Sequence, residues 1–174
     1  MAATLPHSSN PFLSSKWQTI LILVLAFWLS GNVLLDGLVM PSLYAGGMMT
    51  EPGFASTGYS LFWIFNRLEL VCAAMVLTGV LVLRYVRHPL NRPGHFSVVL
   101  AVLLLAIALI DTYGLTPSMS ALGLTLNWFA AGAEVPVGMN QLHFSYWFLD
   151  LVKICASGML LWLYNRAARP VSQG

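Results

Sequence analysis

Six ionisable side chains lie inside long apolar runs of the sequence, where charges are rare. They are Asp36, Arg67, Glu69, Asp111, Asp150 and Lys153. Placing one such charge in a membrane helix costs about 2.5–3.5 kcal/mol on insertion scales, so each needs a partner or a wet surface. Once the runs are oriented in a bilayer, all six fall in its outer half. We therefore expect one intramembrane polar layer, which either holds helices together or binds protons or cations.

The last apolar run carries a polar stripe on one helical face. Its members, at spacings of three and four residues, are His143, Tyr146, Asp150, Lys153 and Ser157. Asp150 and Lys153 can pair within that helix. Two bridges between helices are also predicted, Arg67 with Asp150 and Glu69 with Lys153. Such pairs fix helix register more convincingly than they add stability.

If each of the two basic residues pairs with one of the four acidic residues, two carboxylates remain without a basic partner. On the predicted pairing they are Asp36 and Asp111, each near the C-terminal end of an outward-running helix, where the helix dipole disfavours negative charge. Two interpretations stay open. Each carboxylate reaches headgroup water or accepts N–H bonds from a short following helix, or both form an outer-face site for a proton or cation. The residues of that outer-face site are Asn32, Asp36, Asp111, His143 and Tyr146.

Copper binding is a weaker hypothesis at the outer face. Thioether and imidazole ligands suit Cu(I), and the candidate ligands are Met48, Met49, Met119 and His143. Methionine is also a common apolar filler in protein cores. The four histidines lie at different depths, whereas a bis-His haem needs two at equal depth. No cofactor is therefore predicted.

Enzymatic signatures are missing from the sequence. It contains no G-x-S-x-G, no H-E-x-x-H and no Gly-rich phosphate loop with a lysine. Cys72 and Cys155 both lie in apolar runs and form no CxxC motif. We do not expect an enzyme.

Composition places all of these residues in a membrane protein. The chain is 58% hydrophobic and 8% charged, with a mean hydropathy of +0.77. Four apolar runs, 17–39, 61–83, 96–113 and 144–164, are long enough to cross about 30 Å of hydrocarbon at a helical rise of about 1.5 Å per residue. The formal charge is only +2 and no basic run is present, which excludes nucleic-acid binding.

Basic residues outside the runs are confined to one side of the predicted bilayer. They are Lys16, Arg84, Arg87, Arg92, Arg166 and Arg169. By the positive-inside rule both termini and the middle connection are cytoplasmic. The sequence predicts a multi-pass protein of the bacterial plasma membrane or an internal membrane. Cytoplasmic tails, 1–16 and 167–174, flank a transmembrane domain at 17–166.

A faint internal repeat divides that domain into tandem hairpins of equal orientation, 17–87 and 96–166. Asp36 and Asp111, with the Pro-Ser pairs that follow them, coincide when one residue is inserted in the second copy. Copies of this kind are related by an axis along the membrane normal. Pro41 and Pro117 are expected to begin short helices, at about 41–47 and 117–130, lying at the outer surface. The predicted fold is an all-α four-helix membrane bundle.

Several short motifs carry a resemblance to a known family. They are Phe27-Trp28-Leu29-Ser30-Gly31 leading to Pro41-Ser42-Leu43-Tyr44, then Leu115-Thr116-Pro117-Ser118-Met119, then Leu142-His143. The chain resembles the small four-span membrane domain of unknown function that is widespread in bacteria, with relatives in eukaryotic organelles and cells. Ser30 stands where a small residue, often Gly, is usual. The resemblance implies a four-helix membrane bundle and assigns no reaction, substrate or catalytic residue.

Three functions stay open at this point. The favoured one is a non-enzymatic binding or assembly component of a larger membrane complex. Its support is two small-residue faces that allow close helix approach, made of Ala73, Ala74 and Gly79 and of Ala156, Ser157 and Gly158. A proton, cation or small-solute transporter is the alternative, and a membrane redox or metal-binding protein is the third. The expected partners are the lipid bilayer and other membrane proteins, with a homo-oligomer left open.

Overall fold

Helices form all of the regular secondary structure in the described part of the chain. The computed structural model describes residues 11–48, 53–86, 94–129 and 138–168. The α-helices are α1 (Pro11–Leu34), α2 (Met40–Ala45), α3 (Phe54–Val86), α4 (His95–Ile110), α5 (Thr116–Phe129) and α6 (Met139–Ala168). Two π-helical turns join them: π1 (Leu35–Val39) connects α1 to α2, and π2 (Asp111–Leu115) connects α4 to α5.

Four helical stretches are long and apolar enough to cross a membrane, which confirms that part of the prediction. They are Phe12–Leu43, Ser56–Val86, His95–Leu122 and Gln141–Ala167. Each extends beyond its predicted apolar run at both ends. The reason is that backbone hydrogen bonding continues into polar turns that the hydropathy pattern does not include. At about 1.5 Å per residue, stretches of this length exceed the roughly 30 Å of a hydrocarbon layer.

The helices pack as a ring in which each contacts two neighbours. α1 packs on α3, α3 on α4, α4 on α6, and α6 on α1. The shared core contains Leu21, Leu25, Val76, Leu104 and Leu160, all essentially inaccessible. Large apolar side chains, among them Phe27, Ile64, Val99 and Phe148, cover the outside of the bundle. Apolar surface on both sides is expected of helices that face lipid on one side and one another on the other.

Helices begin at the two prolines as α2 and α5, close to the predicted bounds of 41–47 and 117–130, but the chain does not break at Pro41 or Pro117. Met40 and Thr116 keep right-handed helical backbone angles, and α2 and α5 therefore continue α1 and α4. A proline ring clashes with the carbonyl four residues earlier and supplies no N–H. The π turns relieve this conflict. The Met40 N–H donates to the Leu35 carbonyl and the Thr116 N–H to the Asp111 carbonyl, five residues back in each case.

In both halves of the chain a long helix is followed by a π turn and then by a second helix. Both π turns end two residues before a proline. Asp36 is the second residue of π1, and Asp111 is the first residue of π2. The widened turns therefore place an acidic side chain at the same level of each half.

Candidate functional site

Lys153 lies at the centre of a buried acidic cluster. Its side chain is 0% exposed, and its Nζ donates to both carboxylate oxygens of Glu69 at 3.0 Å. The same Nζ is 3.0 Å from Asp111 Oδ2 and 3.5 Å from Asp150 Oδ1. Asp36 interacts electrostatically with all four of these residues. We call Asp36, Glu69, Asp111, Asp150 and Lys153 the Lys153 cluster.

Every membrane-length helix contributes to the Lys153 cluster. Glu69 comes from the middle of α3, while Asp150 and Lys153 lie three residues apart on α6 and so share one face. Asp36 and Asp111 come from π1 and π2. The predicted layer therefore becomes a compact site at the centre of the bundle.

Neighbouring side chains orient the Lys153 cluster. The Trp28 Nε1–H donates to Glu69 Oε1 at 2.9 Å, with both groups buried. The Tyr146 ring centroid lies 5.6 Å from Lys153 Nζ, and the Ser157 hydroxyl donates to the Lys153 carbonyl at 2.6 Å. Trp28 was not predicted as a site residue. Its position in mid-span, away from the interfacial belts where Trp is usual, was the signal available in the sequence.

The Lys153 cluster holds more acid than base. Four carboxyl groups surround one ammonium. Among the described residues, Asp36 Oδ2, Asp111 Oδ1 and the Tyr146 hydroxyl are buried without a hydrogen-bond partner. Asp111 Oδ2 and Asp150 Oδ1 have Lys153 as their ion-pair partner. Leaving one buried polar atom without a hydrogen bond costs about 1–3 kcal/mol. Native structures contain few such atoms, and a group of them is typical of a functional site. The arrangement is suited to gaining protons.

Arg67 does not join the Lys153 cluster, so the predicted Arg67–Asp150 pair is wrong. Arg67 is exposed, its guanidinium carbon lies 3.5 Å from the Trp63 ring centroid, and Nη1 donates to the Trp63 carbonyl at 3.2 Å. Residues two apart on a helix point about 200° apart, so only one of Arg67 and Glu69 can face the core. The predicted Glu69–Lys153 bridge is present. Asp111, which we expected to lack a base, contacts Lys153 as well.

The outer-face residues gather partly around the Lys153 cluster. Asn32 is fully buried, and Tyr146 is nearly so. Tyr146 interacts electrostatically with Asp36, Asp111 and other acids of the cluster. His143 is half-buried on α6, one turn nearer the start of that helix than Tyr146. Of the five outer-face residues, Asp36 and Asp111 thus belong to the Lys153 cluster and Tyr146 lies beside it.

The candidate copper ligands are spread over several elements. Met48 is exposed just after α2, whereas Met119 on α5 and His143 on α6 are half-buried. Met49 lies outside the described residues. Among the residues that the structure describes, no group of three or more His, Cys, Asp or Glu side chains is arranged to hold a metal ion. Cys72 is buried and Cys155 is exposed, and both are free thiols.

Comparisons of the chain with family models, curated proteins and solved structures found no match. The resemblance to the four-span family therefore stays a prediction from its motifs.

Proposed function

We propose that this chain is a four-span membrane protein that binds and releases protons at the Lys153 cluster, and so moves protons or a proton-coupled solute across the bilayer. The observation that carries the proposal is the surplus of buried acid, with three carboxylates within 3.5 Å of one fully buried ammonium. A structural bridge needs one carboxylate for one ammonium, because further acids only add repulsion. A surplus of carboxylates, in contrast, leaves acids that can bind and release protons without breaking the bridge.

Different members of the cluster have different roles in this proposal. Glu69 accepts hydrogen bonds from Trp28 and Lys153, so it anchors the ammonium. Asp36 Oδ2 and Asp111 Oδ1 accept no hydrogen bond from the described residues, and Asp150 is the most distant of the three carboxylates paired with the ammonium, at 3.5 Å. We assign the proton to these three carboxyl groups. When all the acids are ionised, negative charges outnumber positive ones by three, and the low dielectric of the bundle centre magnifies their repulsion. Proton uptake relieves that repulsion.

The arrangement in the membrane is part of the proposal. Both termini lie in the cytoplasm of a bacterial cell or on the corresponding side of an internal membrane, as the positive-inside rule predicts. The common helix, π turn, helix order of the two halves supports tandem hairpins of equal orientation. Asp36 and Asp111 then lie near the axis between the halves, on the outer side of the bilayer centre.

A non-enzymatic assembly component of a larger membrane complex is the second candidate. It is favoured by the contribution of all four membrane-length helices to the Lys153 cluster, which in that case only sets helix register. The small-residue faces lend it less support than the sequence suggested. Ala73, Gly79, Ala156 and Ser157 are buried, so they serve packing within the bundle. A partner protein or a second copy would instead contact the large exposed apolar side chains.

Proton flux in reconstituted vesicles tests the proposal. Vesicles containing a pH-sensitive dye are given a potassium diffusion potential, and internal acidification is followed. Asp36→Asn and Asp111→Asn keep shape and an acceptor oxygen but cannot bind and release a proton. We expect wild-type flux above empty vesicles and at least a tenfold loss in each variant, with the helical circular dichroism signal unchanged. Arg166→Gln, which removes a charge far along α6 from the cluster, should keep wild-type flux.

The same assay separates the two candidates. If wild type and variants move neither protons nor monovalent cations, the transport proposal is rejected and the assembly role is retained. In an assembly component both Asn variants should fold and recover the same partner proteins from mild detergent as wild type does. Proton flux by wild type that both Asn variants lose, with partner recovery unchanged, would contradict a purely assembling role.

A further inference from the structure

A groove of about 150 Å³ opens beside α3, and no residue of the Lys153 cluster lines it. Its walls include Tyr59, Trp63 and Arg67 from α3 and Tyr113 from π2, and Asn66 is its most deeply buried lining residue. Tyrosine and tryptophan combine an apolar ring with a polar edge and are enriched where a membrane meets water. The groove thus has the composition of a headgroup-level site.

Arg67 gives the groove a positive charge that faces outwards. The guanidinium carbon lies 3.5 Å from the Trp63 ring centroid, and Nη1 donates to the Trp63 carbonyl. The planar fork has further N–H donors that can reach an anion. Helical side chains lean towards the helix N-terminus, and the predicted topology places the N-terminus of α3 outside. The charge is therefore carried towards the outer headgroups, as in snorkelling residues. An exposed guanidinium in this position can bind an anion such as a lipid phosphate.

Asn66 supplies a second, independent feature. Its side chain is 1% exposed, and its Nδ2 donates to the Thr116 hydroxyl. Its Oδ1 accepts no hydrogen bond from any residue in the part of the chain that the structure describes. The groove therefore offers a guanidinium for an anion and, one residue away, a buried acceptor for a hydroxyl or ammonium donor.

We propose that this groove binds the headgroup of an outer-leaflet phospholipid. The phosphate lies on the Arg67 guanidinium in a charge-assisted hydrogen bond, and a headgroup hydroxyl or ammonium donates to Asn66 Oδ1. The acyl chains run along the apolar exterior of the bundle. Free phosphate shares the anionic chemistry but brings no acyl chains, so the two sources of phosphate are separable. The proposal does not depend on proton transport by the Lys153 cluster.

Native mass spectrometry of delipidated protein in uncharged detergent tests this site. The probes are dihexanoyl phosphatidylethanolamine, dihexanoyl phosphatidylglycerol and inorganic phosphate, each titrated against the full chain. We expect one tightly bound phospholipid per wild-type chain. Arg67→Gln and Trp63→Leu should each weaken that binding at least tenfold, because the first removes the charge and the second its stacking platform. Arg84→Gln, an arginine at the opposite end of α3, is the matched control and should bind as wild type does.

Three results would overturn the proposal. The first is equal lipid affinity for wild type and Arg67→Gln, and the second is inorganic phosphate binding as tightly as either lipid. The third is equal weakening by Arg67→Gln and Arg84→Gln, which would indicate nonspecific charge effects. If Arg67→Gln fails to fold, Arg67→Lys keeps the charge but loses the planar fork, and at least a threefold loss relative to Arg84→Lys is expected. This experiment measures lipid binding and not proton flux. Its result can therefore reject the lipid site without affecting the proposal of proton transport.

Discussion

The Lys153 ammonium offsets repulsion among acids that four helical stretches bring together. Taking an ion out of water costs several kcal/mol even after relaxation. Contacts at 3.0 Å to Glu69 and Asp111 offset this cost, and the hydrogen bond from Trp28 holds Glu69 in place. Removing Lys153 would therefore leave several acids buried without any base.

We expect Lys153→Met to lower the free energy of unfolding by about 3–5 kcal/mol, as breaking a buried ion pair does. Methionine keeps most of the side-chain volume, so the loss of stability measures the removal of the ammonium charge more than a change in packing. Thermal unfolding in detergent, followed by circular dichroism, measures the effect. Arg166→Gln is the matched control and should cost under about 1 kcal/mol, because surface charges contribute little.

A double variant sharpens this test. Lys153→Met with Glu69→Gln removes one stranded carboxylate and should recover part of the lost stability. If Lys153→Met unfolds at the wild-type temperature, the ammonium does not hold the cluster together as the contacts indicate.

For single residues, the sequence predicted which side chains belong to the site better than it predicted which of them form pairs. All six intramembrane ionisable residues stand out by type alone, because charge in an apolar run is rare. Their pairing depends on the rotation of each helix about its own axis. Arg67 and Glu69 lie two residues apart on α3 and were equally eligible to face the core. Packing turned Glu69 inwards to Trp28 and Lys153 and left Arg67 on Trp63.

Among the elements, the π turns decide where the two aspartates point. A π turn adds a residue to one turn of helix and so rotates everything after it. Asp111 opens π2 and is 0% exposed, while Asp36 is half-buried in π1. The prolines that follow both turns were visible in the sequence. They predict the start of short helices, and α2 and α5 do begin there, but the backbone stays helical through both π turns, so α2 continues α1 and α5 continues α4.

The close approach of α1 and α3 gives a test at the level of packing. A Cβ at Gly79 would lie 3.3 Å from Leu21 Cδ1 and 3.6 Å from Leu21 Cβ, whereas a Cβ at Gly158 meets nothing within 4 Å. Gly79→Leu should therefore lower the free energy of unfolding by about 1–3 kcal/mol through overpacking. Thermal unfolding in detergent measures the change.

Gly158→Leu is the matched control for that substitution. It introduces the same side chain in a helix, with open space around it, so stability should be unchanged or slightly higher because a glycine leaves the helix interior. An equal loss in both variants would mean that the side chain itself, and not the α1–α3 contact, is responsible.

For the whole molecule, the distribution of basic residues predicts the orientation in the membrane. Within the described ranges, Lys16, Arg84 and Arg166 all lie at the ends of helices that the topology places inside. The two connecting segments assigned to the outside, 40–60 and 114–143, contain no Lys or Arg. Cytoplasmic retention of basic segments is the physical basis of the assignment.

Cysteine labelling in intact cells tests this orientation, after Cys72 and Cys155 are replaced by Ser. Thr57→Cys and Ala131→Cys should react with a membrane-impermeant maleimide from outside. Asn91→Cys should react only after permeabilisation. Labelling of Asn91→Cys in intact cells would invert the topology and with it the outer-leaflet assignment of the Arg67 groove.

Apolar length and composition alone were sufficient to predict four helices long enough to cross a membrane, because backbone groups in hydrocarbon must bond within their own segment. The same information located every intramembrane charge along its helix. It could not choose partners, because each residue along a helix turns the side chain by about 100° and a π turn changes that phase again. Only helix packing in three dimensions brought Glu69, Asp111 and Asp150 to Lys153 and turned Arg67 outwards.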